Sequence, residues 1–288
     1  MSFAPLLFVA LWSTGFVGAK YGLPFADPFI FLAIRVAIAA VLLYAYAALT
    51  HSKISLTRQE LKLSTIVGAT LHFAYLGGVF YGISKGVPAG IAATVTSLQP
   101  ILVSIIGVKV LGESIRPKQL VGLTCGFSGV LIVLSPAFEV TSHMTIAGIV
   151  AVLLSLAGST TATLVQKKSG GSVPLLAGTA FQYVVAASLF LCAASITSGF
   201  HILWTGKFIF ALVWLIVALS VGAILILLTL LKSGSAAGVS SLLYLVPPAT
   251  AIEAYFLFNE KLSKLDFLGI ALTALGVFLV MRKSVHSK

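Results

Sequence analysis

Apolar runs of about twenty residues, each closed by Pro, Gly or charged residues, follow one another from end to end of the chain. In the first half they fall at 3–19, 29–49, 64–84, 89–110 and 118–134, and in the second at 146–166, 175–197, 208–231, 236–258 and 265–282. A helix needs roughly 20 apolar residues to cross the hydrocarbon core of a bilayer. Each run therefore reads as one crossing and the connections between them are short. The pattern predicts an all-α integral membrane protein of ten transmembrane helices.

The pattern also repeats. Sliding the chain against itself by 147 residues puts Lys20 on Lys167, Lys85 on Lys232, Pro100 on Pro247, Glu113 on Glu260, Gly122 on Gly269 and Gly129 on Gly276. The strongest block pairs LQPILVSIIGVKVLGE with LVPPATAIEAYFLFNE. The offset carries five crossings, and five is odd, so the second copy enters the membrane from the opposite face. The predicted organisation is a five-helix repeat over 1–137, an inverted five-helix repeat over 144–284 and a short tail at 285–288. Two inverted halves that exchange conformations around a midplane site are a recurring build of secondary transporters.

Composition agrees: 59% of the 288 residues are hydrophobic, 9% are charged and the mean hydropathy is +1.12, against about 25% charged in soluble domains. The net charge of +11 does not point to nucleic acid, because Lys and Arg stand at the ends of apolar runs and form no basic stripe. Their meaning is topological. With the N-terminus inside, twelve Lys and Arg residues fall on the cytoplasmic side and five on the other, with Arg35 inside a run. Positive charge is retained in the cytoplasm, which places both termini there. Val17-Gly18-Ala19 has the form of a signal-peptidase site, but its segment has a counterpart inside the chain and is expected to stay. Cys125 and Cys192 both lie within runs, so no disulfide is expected.

Several residues inside the runs could carry function. Pro100 and Pro247-Pro248 lie near the middle of the fourth and ninth runs. A helical Pro has no N–H, which frees the carbonyl four residues back, here those of Thr96, Leu243 and Tyr244. Such carbonyls need another donor in lipid, either a packed hydroxyl or a substrate ammonium. Thr94, Ser97 and Ser104 share a face before and after the first of these kinks, and Ser241 and Tyr244 are the offset counterparts of Thr94 and Ser97. The sixth run has a stripe of Ser155, Ser159, Thr163 and Gln166; such hydroxyls line a pathway or bond their own backbone. Arg35, His72 and Glu253 are the strongly ionisable groups well inside runs, expensive there unless they face a cavity or a partner. Arg35 and Glu253 sit at similar depth, so an ion pair or a coupling role is an expectation. Trp12 lies mid-run, away from the interfacial belt, and Tyr75 is within a turn of His72.

The stretch ALWSTGFVGAKYGLPFADPFIFLAIRVAIAA, the LQP…LGE block and its VPP…NEKL counterpart resemble the drug/metabolite transporter superfamily, specifically its ten-helix EamA-type members. The resemblance covers the whole chain and lies nearest the aromatic amino-acid exporters of that superfamily. It implies export of amino acids or related metabolites through a central cavity walled in part by the fourth and ninth helices, in a bacterial-type cytoplasmic (inner) membrane. The residues then expected at substrate are Trp12, His72, Tyr75, Thr94, Ser97, Pro100, Ser159, Ser241, Tyr244 and Pro247. Expected partners are the lipid bilayer and a small molecule; no cofactor, metal or nucleic acid is expected. Sugars, nucleotide derivatives and polyamines stay open as substrates, and a passive channel or facilitator is the alternative function. An enzyme is not expected, because six of the seven acids lie in loops or at helix ends and no catalytic or nucleotide-binding motif is present.

Overall fold

The computed structural model describes residues 4–112, 117–135, 144–169, 172–197, 200–223, 226, 243–260 and 262–281. The described elements are helices, apart from one isolated antiparallel bridge between Ala26 and Ile202. In chain order they are α1 (Ala4–Gly22), α2 (Pro28–Leu49), α3 (Arg58–Val67), a π segment (Gly68–Leu76), α4 (Gly77–Ser84), α5 (Ala89–Thr96), α6 (Gln99–Leu111) and α7 (Pro117–Leu134). There follow α8 (Ile146–Lys168), α9 (Leu175–Thr197), α10 (Gly206–Trp214), a second π segment (Leu215–Ala223), α11 (Val246–Phe258) and α12 (Lys264–Met281). Seven helical stretches among the described residues are long and apolar enough to cross a membrane, including Arg58–Ser84, in which α3, the π segment and α4 run on as one.

The surface fits a bilayer. Ile196, Phe256 and Val41 are 83%, 78% and 68% exposed, which water would penalise over so broad an apolar face. Inside, by contrast, Arg35, His72, Gln182 and Ser220 are buried.

Helix boundaries recur at the same 147-residue offset. The helix starts Pro28 and Leu175, Gln99 and Val246, and Pro117 and Lys264 are each 147 apart, as are the starts and ends of the two π segments. The last residues of α6 and α11 are followed by Gly112 and Asn259, both with left-handed backbone at φ 69° and 54°; Gly and Asn are the residues that adopt it most cheaply at a helix end. Packing follows the same relation: α2 lies on α9 and α7 on α12, each on its own counterpart, while α1 packs on α11 as α8 packs on α6. Where α7 meets α12 the backbones touch, and a Cβ built on Gly276 would lie 2.6 Å from the Gly122 carbonyl oxygen. One built on Gly129 would lie 2.5 Å from that of Gly269. Small residues allow this approach. Gly78 and Gly82 do the same for α4 against Ala151, Ser155 and Val152 of α8.

The prolines act differently from the expected mid-helix kinks. The regular α-helical hydrogen bonding lapses at Ser97-Leu98, whose backbone stays right-handed helical within the stretch Ala89–Val110, and Pro100 then stands in the first turn of α6; Pro247 stands likewise in the first turn of α11, after a 3-10 turn at Leu243–Leu245. A first-turn residue has no intrahelical partner for its N–H, so Pro costs least there.

Ties gather at the end of the bundle where α1 finishes and α2 begins. Lys20 pairs with Glu260, which also accepts from the Ala89 backbone N–H at 3.5 Å. Asp27 N–H donates to the His201 carbonyl at 3.1 Å, and Leu203 N–H to that of Phe25 at 2.7 Å. The Thr145 hydroxyl donates to the Lys85 carbonyl at 3.1 Å. Glu260 is thus used as a loop acceptor, while its offset partner Glu113 lies outside the described residues. A capping pair opens α12: Ser263 N–H donates to Asp266 Oδ2 at 2.8 Å and Asp266 N–H to Ser263 Oγ at 3.1 Å.

Candidate functional site

Two adjoining cavities lie within the bundle. The larger, of about 240 Å³, is walled by Trp12, Gly15 and Phe16 of α1, Arg35 of α2, Leu71, His72, Tyr75 and Leu76 of the first π segment, and Val79 and Phe80 of α4. Gln166 of α8, Leu175, Thr179, Gln182 and Tyr183 of α9, and Leu219 and Ser220 of the second π segment close it. The smaller, of about 90 Å³, shares Trp12, Phe16, Leu71 and Tyr75 and adds Ala93, Thr96, Ser97, Gln99, Pro100, Ser159, Leu243, Val246 and Val277. Both π segments thus reach the wall. A π turn interrupts the regular α-helical stacking of side chains, and such turns are common at functional sites.

The larger cavity is apolar with a polar seam. His72 Nε2 lies 3.1 Å from Gln182 Oε1, and its ring stands edge-on to Tyr183 with centroids 4.6 Å apart. Arg35 Nε donates to Ser220 Oγ at 3.2 Å, and its guanidinium lies 5.8 Å from the Phe80 ring centre. Arg35 Nη1 is buried without a hydrogen-bond partner among the described residues.

The smaller cavity is built from offset-related pairs. Trp12 and Ser159, Thr96 and Leu243, and Gln99 and Val246 are each 147 residues apart, and all six line it. The larger one holds two such pairs, Arg35 with Gln182 and His72 with Leu219.

Of the residues expected at substrate, Trp12, His72, Tyr75, Ser97, Pro100 and Ser159 are brought together at these walls. Thr94 is not: it is buried and its hydroxyl donates to the Gly90 carbonyl at 2.7 Å. Pro247 is buried beside the wall residue Val246 but does not itself line either cavity. Ser241 and the side chain of Tyr244 lie outside the described residues. The hydroxyls of Ser97 and Ser159 donate to Thr94 and Leu156 carbonyls at 2.7 and 3.0 Å, leaving them free only to accept. Ser155 packs against Gly78, while Thr163 accepts from the Gln99 amide.

The expected pairing of Arg35 with Glu253 is not formed. Arg35 turns to Ser220 and the cavity, whereas Glu253 on α11 accepts from Ser13 Oγ at 2.6 Å. Similar depth put them level, but their helices present them to different neighbours. Trp214 donates from Nε1 to Thr14 Oγ1 of α1 at 3.0 Å. The wall residues Thr179, Gln182 and Tyr183 were not anticipated, although their i, i+3, i+4 spacing puts them on one helix face. Gln182 is also the offset counterpart of Arg35.

An apolar, helical exterior around interrupted helices and a mainly apolar inner cavity with a polar seam is the build of a membrane transport protein. The chain belongs to the EamA-like transporter family, whose pattern matches residues 2–135 and again 146–282. It is 27% identical over 285 residues to an uncharacterised transporter of Bacillus subtilis, covering 97% of this chain and 91% of the relative. It is 26% identical over 283 residues to a protein of Escherichia coli K12 called "Probable amino-acid metabolite efflux pump", covering 95% and 92%. A crystal structure at 18% identity shares the fold, with a TM-score of 0.67 over 96% of this chain and 95% of that one. These relatives are named as transporters, in keeping with the reading of the chain as no enzyme.

Proposed function

We propose that this protein is a secondary transporter exporting aromatic or other hydrophobic amino acids and related small metabolites by alternating access. Its ten crossings form two inverted five-helix repeats, 1–137 and 144–284. The observation that carries the reading is the smaller cavity: three pairs of residues related by the repeat offset surround one space, as a site on the axis between two exchanging halves requires. Two separate matches to the family pattern and the amino-acid metabolite relative support it.

Substrate sits where the cavities join, with Trp12, Phe16 and Tyr75 against its side chain. The carbonyl of Thr96, which Pro100 has no N–H to satisfy, and that of Tyr244, which Pro248 has none to satisfy, accept from the ammonium, with the Ser97 hydroxyl as a further acceptor. The ties at Lys20, Asp27 and Thr145 lie on the outer side in the orientation set by the charge count. They close that face, and outward opening breaks them. Both termini are cytoplasmic in a bacterial-type inner membrane.

Reporter fusions after Lys53, Arg116 and Lys168 should read cytoplasmic, and fusions near Asp27, Glu139 and Gly199 external; a consistent swap reverses the orientation, and a mixed pattern breaks the ten-crossing count. For function, proteoliposomes holding the purified chain and unlabelled phenylalanine should accumulate labelled phenylalanine transiently above equilibrium. Such counterflow saturates in a carrier. Linear, non-saturating flux without counterflow would make the protein a passive pore, and no flux for any of a panel of amino acids would remove them as substrates.

A further inference from the structure

We infer that Arg35 is a carboxylate anchor, and that the larger cavity takes molecules joining one carboxylate to an apolar or aromatic body. The inference rests on reading this cavity as the substrate site. A guanidinium has five N–H donors and no acceptor, and it pairs best with the two oxygens of a carboxylate. Arg35 is 3% exposed, donates from Nε to Ser220 Oγ at 3.2 Å, and has Nη1 buried with no hydrogen-bond partner among the described residues. The ion pairs formed among the described residues take Lys20 with Glu260 and Lys53 with Glu60, and Glu253 is held by Ser13. A buried charge without a counter-ion is costly, and a cavity adjoins this one.

The surroundings select the class of anion. His72, Tyr75, Gln182 and Tyr183 add hydrogen-bonding groups near the guanidinium, but most of the wall is Trp12, Phe16, Phe80 and aliphatic side chains. A small hydrated anion would leave that wall unused, and a polyamine would meet a fixed positive charge. The offset counterpart of Arg35 is the neutral Gln182, which is occupied by His72. The charge therefore marks one half only, and it orients the ligand with its carboxylate toward α2.

The test uses three matched probes on the purified full-length chain in detergent: 3-phenylpropionate, its methyl ester and phenethylamine. Equilibrium binding should be saturable for the acid and at least tenfold weaker for the ester and the amine. Arg35→Gln should weaken the acid at least tenfold, and Arg35→Lys should restore part of the loss. Wild-type binding of ester or amine as tight as the acid overturns the assignment, as does absence of acid binding or undiminished binding in Arg35→Gln. Should Arg35→Gln fail to fold, the wild-type comparison of acid with ester decides alone. Displacement of the acid by equal chloride would mark a bare anion site and also overturn it. Phenylalanine counterflow with unchanged KM in Arg35→Gln would sink the anchor and spare the transport reading. Acid binding without amino-acid counterflow would do the reverse.

Discussion

Gly276→Ala should lower the melting temperature of the purified protein by about 2–12 °C, with a matching loss of monodisperse yield, while Gly206→Ala changes neither. A Cβ at position 276 would meet Gly122 O at 2.6 Å and Gly126 Cα at 2.7 Å. Both are backbone atoms of α7 and cannot rotate away, so α7 and α12 must part. Overpacking of this kind costs about 1–3 kcal/mol, and each kcal/mol shifts melting by roughly 2–4 °C in chains approaching this size. Gly206 has nothing within 4 Å of the added carbon. The same loss is expected for Gly129→Ala, whose Cβ would meet Gly269 O at 2.5 Å and Thr273 N at 2.6 Å. Equal melting of Gly276→Ala and wild type in side-by-side scans would mean that α7 and α12 are not packed this closely.

The second large effect is on affinity. Trp12 belongs to both cavities and stands with its ring 5.2 Å from that of Phe8, so its indole forms the wall where the two spaces join. An aromatic pair contributes about 0.5–1.5 kcal/mol beyond the area it buries, and each 1.4 kcal/mol is tenfold in affinity. Trp12→Ala should therefore raise the KM for phenylalanine in counterflow several-fold to roughly tenfold or more. Trp204→Ala should leave it unchanged, because Trp204 is 61% exposed and its ring touches Phe208 outside both cavities. An unaltered KM in correctly inserted Trp12→Ala would move the aromatic contact elsewhere.

Helix positions were readable from the chain because bilayer thickness imposes one length on every crossing. The 147-residue recurrence of helix starts was readable because Pro, Gly and Lys pairs stand out where apolar identities mean little. Side-chain partners were harder. Depth along a helix follows from counting residues, and it put Arg35 level with Glu253; rotation about the helix axis decides contact, and in all-apolar helices no polar stripe reports it. Hydroxyls posed a related difficulty. Thr94 and Ser97 share a helix face, yet Thr94 is buried against Gly90 while Ser97, at the helix end, lines the cavity. The π segments left no mark in the apolar pattern, since a local change of hydrogen-bond register keeps the residues equally greasy. They turn His72, Tyr75 and Ser220 to the wall, three residues that hydropathy alone could not assign to one space.

The paired π segments also keep the register between the two halves. A π turn holds one residue more than the α turn it interrupts, so it is the trace of a one-residue insertion. An insertion gained by one half alone would lengthen the spacing of everything downstream by one. The spacing is 147 for Pro28 and Leu175 ahead of the segments, and still 147 for Gln99 and Val246 behind them. Both segments therefore begin at matched positions without disturbing the spacing behind them, although the nine side chains they carry differ at every matched position.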